Sequence, residues 1–214
     1  VAIPAASLVT AVLVCLVPAA CSPASSDAGD AQAPSAKPGE TRSGTLLLDA
    51  DLETGDFLQF DDVEAASHEL QIVTDPVRAG GLAARAVVTA GEQDVGGSGS
   101  RAEATEEGAG GARQERERWF GFSTFLPDDW LIIDSPGSDI LFQIHELPDA
   151  CETPRSPPLA LRIVGAEMRW QVRWDSRACS VGNEAEGEAT LASPPLVLGR
   201  WVDWVVHVRW SYEA

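Results

Sequence analysis

The segment Leu159 to Trp174 constrains this chain more than any other stretch, because its apolar residues recur at every second position, the side-chain period of a β-strand. Gly165-Ala166 stands between its two halves as a two-residue turn of the kind that favours glycine first. In the second half Met168, Trp170, Val172 and Trp174 take one side, and Glu167, Arg169, Gln171 and Arg173 take the other. That strand has one dry and one wet face. In the first half Leu159, Leu161 and Ile163 are the expected core residues and Arg162 points outward. The rest of the chain follows suit. Short alternating runs are separated by Gly, Pro and Asp, and no window carries a sustained apolar stripe of helical period. The spacing predicts strands over residues 69–74, 83–89, 100–105, 119–126, 139–145, 159–164, 167–174 and 201–210. The fold class is therefore all-β, a β-sandwich or jelly roll.

With 214 residues and 44% hydrophobic content, one core of moderate size is the expectation. The formal charge of -18 and the isoelectric point near 4.3 argue against nucleic acid, because phosphate binding needs basic stripes that release counterions. Lys37 is the sole lysine, a bias that genome base composition explains better than function does.

Residues 2–20 are apolar or small and uncharged, and end in Val17-Pro18-Ala19-Ala20-Cys21. They read as an export signal over residues 1–20, cleaved before a cysteine that takes lipid. The alternative is an uncleaved anchor, since about 20 apolar residues span a bilayer. The chain opens with valine and has no basic stretch ahead of the run. In either case the folded part faces outside, as a cell-surface lipoprotein or an extracellular protein. Residues 21–44 are rich in Ser, Ala, Pro and Gly and read as a flexible tether, leaving residues 45–214 as the folded domain. Cys15 leaves with the signal and Cys21 takes the lipid, so Cys151 and Cys179 face an oxidising compartment. Their pairing would close a loop worth roughly 3–4 kcal/mol; two free buried thiols are the other reading. Pairing across the Gly165-Ala166 turn brings the ends that carry these cysteines together.

Glycine-rich residues 91–99 lack the lysine and the following helix of a phosphate loop and read as a flexible loop. The alternating charges of residues 113–118 read as a solvated connector. Glu53 and Asp56 are candidates for a structural calcium site through oxygen ligands, but two carboxylates do not define one. No metal is assigned and no cofactor is expected. His207 is expected to be structural, and His68 lies in a polar loop.

Two motifs carry chemistry. In Gln143-Ile144-His145 alternation puts Gln143 and His145 on one face, with Phe142 and Ile144 on the other. In Arg101-Ala102-Glu103 the charged residues likewise share a face. Together they offer a donor-rich groove for an acidic sugar, although an Arg101–Glu103 surface ion pair worth under about 1 kcal/mol and a satisfied structural His145 are the bland alternatives.

These motifs, with the run Trp201 to Val208, Glu53-Thr54-Gly55-Asp56 and Trp119-Phe120-Gly121-Phe122-Ser123, resemble polysaccharide lyases of the heparin lyase I and alginate lyase type. The resemblance spans residues 46–210. It implies a jelly roll whose concave sheet holds an acidic polysaccharide and cleaves it by β-elimination. The C5 proton of a uronate is hardly acidic while the adjacent carboxylate keeps its charge, so donors must bind that carboxylate first. Gln143 and Arg101 supply those donors, and His145 is the expected base, because imidazole titrates near neutrality. Glu103 is expected to orient Arg101 or to contact sugar hydroxyls. Arg162, Arg169 and Arg173 are expected to bind substrate by reversing the sign of the field inside the groove. The family also carries a C-terminal Tyr-x-Lys-x-Gly-x-Tyr element that serves the leaving oxygen, and nothing here matches it. Tyr212 is the sole tyrosine, in Trp210-Ser211-Tyr212-Glu213. The expectation is a monomeric domain that stops short of its last strands. A non-catalytic sugar-binding module and a surface scaffold are the competing readings.

Overall fold

A computed structural model describes residues 44–65, 68–89, 101–107, 117–131, 139–146, 150–153, 155–177 and 179–210, together with the backbone of residues 9–15. The expected tether, Cys21, the 91–99 loop, residues 113–116 of the charged connector and Tyr212 lie outside these residues. The described elements are β1 (Val9–Cys15), β2 (Asp62–Glu64), β3 (Leu70–Val73), β4 (Ala83–Thr89), β5 (Glu103–Thr105), β6 (Glu117–Phe125), β7 (Asp139–Ile144), β8 (Leu159–Val164), β9 (Glu167–Trp174), β10 (Gly187–Ala192) and β11 (Trp201–Arg209). No helix occurs among the described residues.

The strands form a five-stranded sheet in the order β11-β6-β1-β4-β3, a four-stranded sheet in the order β10-β9-β8-β7, and a two-stranded sheet of β2 and β5. Every strand pairing is antiparallel. The first two sheets enclose one core, so the all-β sandwich expected from alternation is what the chain forms. β8 and β9 coincide with their expected ranges, and Gly165, at φ 59°, turns the chain between Val164 and Glu167 as that conformation requires. β2 and β10 were not expected. Three residues are too few for a periodic signal, and β10 carries Gly, Ala and Thr where a strand signal needs large apolar residues. β5 is shorter than expected: Arg101 and Ala102 precede it rather than belonging to it. β1 comes from the run read as an export signal, and its backbone pairs with β4 along six positions and with β6 along three.

The core is aromatic. Phe122 of β6 lies flat on Phe142 of β7, with ring centroids 4.5 Å apart, and meets Trp170 of β9 edge-on at 6.3 Å. Trp204 of β11 meets Trp170 edge-on at 5.8 Å. Leu159, Leu161, Ile163 and Met168 fill the space around them, as the alternation in the hairpin requires. Burial fades along β9, from Met168 at 1% exposed to Trp174 at 46%. The buried polar groups of β6 are satisfied across the β6–β11 pair. Ser123 Oγ donates to Asp203 at 2.7 Å, and Trp204 Nε1 donates to Thr124 at 2.9 Å. Arg78 closes this arrangement with a two-pronged contact to Asp203 at 2.8 and 2.7 Å.

The Glu53-Thr54-Gly55-Asp56 segment serves the fold. The Glu53 carboxylate accepts from the Gly81 and Leu82 amides at 2.9 and 3.1 Å. Asp56 accepts from the Thr54 hydroxyl at 2.8 Å and the Leu58 amide at 3.2 Å. Gly80 adopts φ 70°, and a Cβ there would lie 2.2 Å from the Glu53 carboxylate. His207 stacks on Trp119 at 4.2 Å on the outer face of the β6–β11 pair, the structural role expected of it.

Three outcomes follow from this packing. Phe122→Ala should cost about 3–5 kcal/mol in urea unfolding, since it empties the centre of the aromatic cluster. Gly80→Ala should cost about 1–3 kcal/mol from its left-handed backbone alone and should also displace the Glu53 carboxylate. Arg78 and then Ser123 hold the Asp203 carboxyl below its ordinary range. A depressed carboxylate stabilises the fold above the unfolded value and loses that contribution as pH falls through the folded one. The gap in melting temperature between wild type and Asp203→Asn should therefore be widest near neutrality and shrink as the pH falls below the ordinary aspartate value of about 3.9.

Candidate functional site

The register of the four-stranded sheet decides which side chains share its outer surface. Residues paired across antiparallel strands lie on the same face. Gln143 of β7 pairs with Ala160 of β8, which pairs with Gln171 of β9, which pairs with Thr190 of β10. Two residues along, Ile140, Arg162 and Arg169 form the next row. On the other side Arg173 pairs with Glu188. Gln143, Arg162, Arg169, Gln171 and Arg173 thus stand on one surface, opposite the aromatic core. A register shift between Ile140 and Phe142 sets this phase, seating Phe142 on the core side and turning Gln143 outward.

The β2–β5 pair meets that surface at its β7 edge. Glu64 and Glu103 pair directly across β2 and β5, an arrangement of like charges that destabilises an isolated pair. Arg101 relieves it, with its guanidinium 2.5 Å from the Glu64 carboxylate and 3.6 Å from that of Glu103. Gln143 Nε2 then donates to Glu103 at 2.5 Å. Arg101, Glu103 and Gln143, three of the residues expected from the sequence, are in this way joined into one chain of contacts from two distant segments. Side chains of this set are about one-third exposed, at 31% for Arg101 and 28% for Glu103, so they face a rim open to solvent. Glu64 completes the set. Sequence reasoning missed it because β2 is three residues long, and the one available signal was an acidic residue beside a β-branched one in Asp62-Val63-Glu64.

His145 lies two residues beyond Gln143, immediately past the end of β7, and is exposed. Its Nδ1 lies 2.9 Å from the Glu146 carbonyl. A carbonyl only accepts, so this contact selects the tautomer with the proton on Nδ1 and leaves the Nε2 lone pair available to take a proton. The Glu146 side chain is in turn bonded to Arg155.

The three arginines expected to bind substrate share the Gln143 surface but differ in their ties. Burial first, and then the neighbouring Arg173 charge, push the Arg162 guanidinium below its ordinary range. Arg169 bonds Glu167 at 3.1 Å, and Glu167 also accepts from Ser193 at 2.7 Å. Arg173 is 14% exposed and donates to the Asn183 side chain and carbonyl at 3.1 and 2.6 Å. It braces the loop ahead of β10, while Arg162 and Arg169 form the adjacent row on the other side of Gln171.

Cys151 and Cys179 form the expected disulfide, with Cα atoms 5.8 Å apart, at the sheet end where β8 begins and β9 finishes. A cavity of about 620 Å³ opens on the core side of this sheet, between Trp170, Val172, Val206 and Val208, with Glu146 and Arg155 at its border. Its apolar walls lie behind the sheet from Gln143, and Arg173, Asp175 and Arg209 join Glu146 and Arg155 in lining it. No cluster of three or more metal-type ligands occurs among the described residues.

This surface combines amide and guanidinium donors, and the exposed imidazole of His145 follows Gln143 two residues along the chain. No curated protein and no solved structure matches the chain. Residues 52–214, most of its length and all of the sheets except β1, match the family model described as polysaccharide lyase, and the chain belongs to that family.

Proposed function

We propose that this protein is an exported lyase of the heparin lyase I and alginate lyase type, which cleaves a uronic-acid-containing polysaccharide by β-elimination. The observation that carries this reading is the contact chain from Arg101 through Glu103 to Gln143, two residues ahead of a histidine whose Nδ1 is engaged by a carbonyl. Arg101 and Gln143 face the uronate carboxylate and draw off its charge. The C5 proton then becomes acidic enough for His145 to remove, and the electron pair it leaves forms the C4–C5 double bond. The C4–O bond breaks, the departing oxygen takes up a proton from water, and His145 returns the C5 proton to solvent. Donors fixed in place before the reaction stabilise the enolate-like state more than the ground state. Glu103 aligns the two donors, while Arg162 and Arg169 draw the polyanion onto a chain of net charge -18. No resident cofactor enters this chemistry. The protein acts as a monomer and carries a lipid on Cys21 after loss of residues 1–20, which takes β1 out from between β4 and β6 and leaves edges for further pairing.

A second reading, a non-catalytic sugar-binding domain, draws on one observation: Glu64 and Glu103 already engage Arg101 and Gln143. The two readings part on His145.

Incubated with alginate, glucuronan and glycosaminoglycans, the protein should release unsaturated uronate, read as ultraviolet absorbance. Silence on all of them would sink the lyase reading. His145→Ala should lower turnover by about 10²–10⁴-fold while polymer retention stays intact; retention without turnover in the wild type supports the binding module. Chelation of divalent ions should change neither turnover nor melting temperature, because backbone amides and a hydroxyl already occupy the carboxylates of Glu53 and Asp56.

A further inference from the structure

We propose that Arg155 is a positioning residue for His145, acting through Glu146. The proposal rests on the lyase reading for the role of His145 as base, but the contacts that carry it are independent of that role. Glu146 is bound from two directions. Its carbonyl receives His145 Nδ1 at 2.9 Å, and its carboxylate receives the Arg155 guanidinium. Arg155 and Glu146 side chains are only 19% and 27% exposed, which keeps the pair from exchanging freely with water.

Arg155 does not depend on Glu146 for its place. The guanidinium also lies 3.2 Å from Glu152 and 3.8 Å from Asp175, two carboxylates that are each 8% exposed. Asp175 is held in turn by Arg177 at 2.6 Å and by the Ser180 hydroxyl at 2.8 Å, and the Ser180 amide donates to Glu152 at 3.3 Å. The Cys151–Cys179 disulfide ties together the segments carrying Glu152 and Ser180. A covalent bond and a group of buried charges thus build a rigid block at one end of the four-stranded sheet. Arg155 is the block's only contact with the end of β7 among the described ion pairs.

This arrangement does for an imidazole base what a carbonyl partner does for a metal-ligating histidine: it sets the tautomer and the ring orientation. His145 stands beyond the last hydrogen-bonded residue of β7, where the sheet ladder no longer constrains it. Were residue 146 free to rotate, its carbonyl would leave Nδ1, and the ring would take the tautomer mixture of free imidazole. Part of the population would then carry its proton on Nε2 and present its lone pair at Nδ1 instead.

The test reads the tautomer directly. The chain has three histidines, so ring nitrogen NMR of the full protein resolves them, and His145→Ala identifies the signal. Wild type should carry the proton on Nδ1. Arg155→Met and Glu146→Gln should both move His145 toward the free-imidazole mixture, with Arg155→Lys restoring most of the wild-type signal. On whichever polymer is cleaved, Arg155→Met should lower kcat by about 10–100-fold with KM little changed. An unchanged tautomer in Arg155→Met, with native near-ultraviolet circular dichroism, would overturn the proposal. If Arg155→Met does not fold, Glu146→Gln decides alone, since it leaves Arg155 with Glu152 and Asp175. A tautomer that shifts while no polymer is cleaved keeps Arg155 in its role and removes the lyase reading. Cleavage with an unmoved tautomer does the reverse.

Discussion

Phe142 lying flat on Phe122 is the contact on which the rest of the arrangement depends. The stack joins β7 of one sheet to β6 of the other and seats Phe142 in the core. In a strand, seating one residue inside turns the next one outward, and the register shift just before Phe142 lets Leu141 be buried as well. Gln143 therefore faces away from the core, in line with Ala160 and Gln171, and the polar surface follows from an apolar contact. Slipping β7 by one residue would bury Gln143 against Trp170 without a partner and expose the aromatic ring. Both effects are costly, and together they hold the register.

Electrostatics in this protein are local. A chain of net charge -18 places carboxylates beside one another, and it manages them with arginines set between pairs. Arg101 lies between Glu64 and Glu103, and Arg155 lies among Glu146, Glu152 and Asp175. Arginine suits both positions because its fork of donors contacts several oxygens at once and keeps its charge at every accessible pH. The first cluster builds the rim of the candidate groove. The second braces the end of the sheet from which His145 projects. The net charge of the chain says little about the field at either place.

Membership of the polysaccharide lyase family and the outer surface of the four-stranded sheet point the same way. The family supplies a polysaccharide as the class of substrate, and the surface supplies amide and guanidinium donors that suit the acidic polymer proposed. The cavity on the opposite side of the sheet mixes apolar walls with charged side chains, Arg155, Arg173 and Arg209 among them, and the candidate groove differs from it in the contact chain that joins Arg101, Glu103 and Gln143.

Much of this was legible in the chain itself. Period-two alternation determined that the protein is all-β, and it placed β8, β9 and the turn at Gly165 because each apolar residue there has one side on which to be buried. It also put Gln143 opposite Phe142, and the setting of Cys151 and Cys179 beside the hairpin led to their disulfide. Tertiary structure alone decided the rest. Alternation carries no information about which strand lies beside which, so the meeting of β5 with the β7 edge, and with it the contact of Glu103 with Gln143, had no signature in sequence. Glu64 was invisible because three residues hold no period, and the ties of Arg173 to Asn183 and of Arg155 to Glu146 join loops whose paths depend on the packed core. Local pattern determined the faces; long-range packing decided which faces meet, because contact between distant segments is settled only when their apolar sides are buried together.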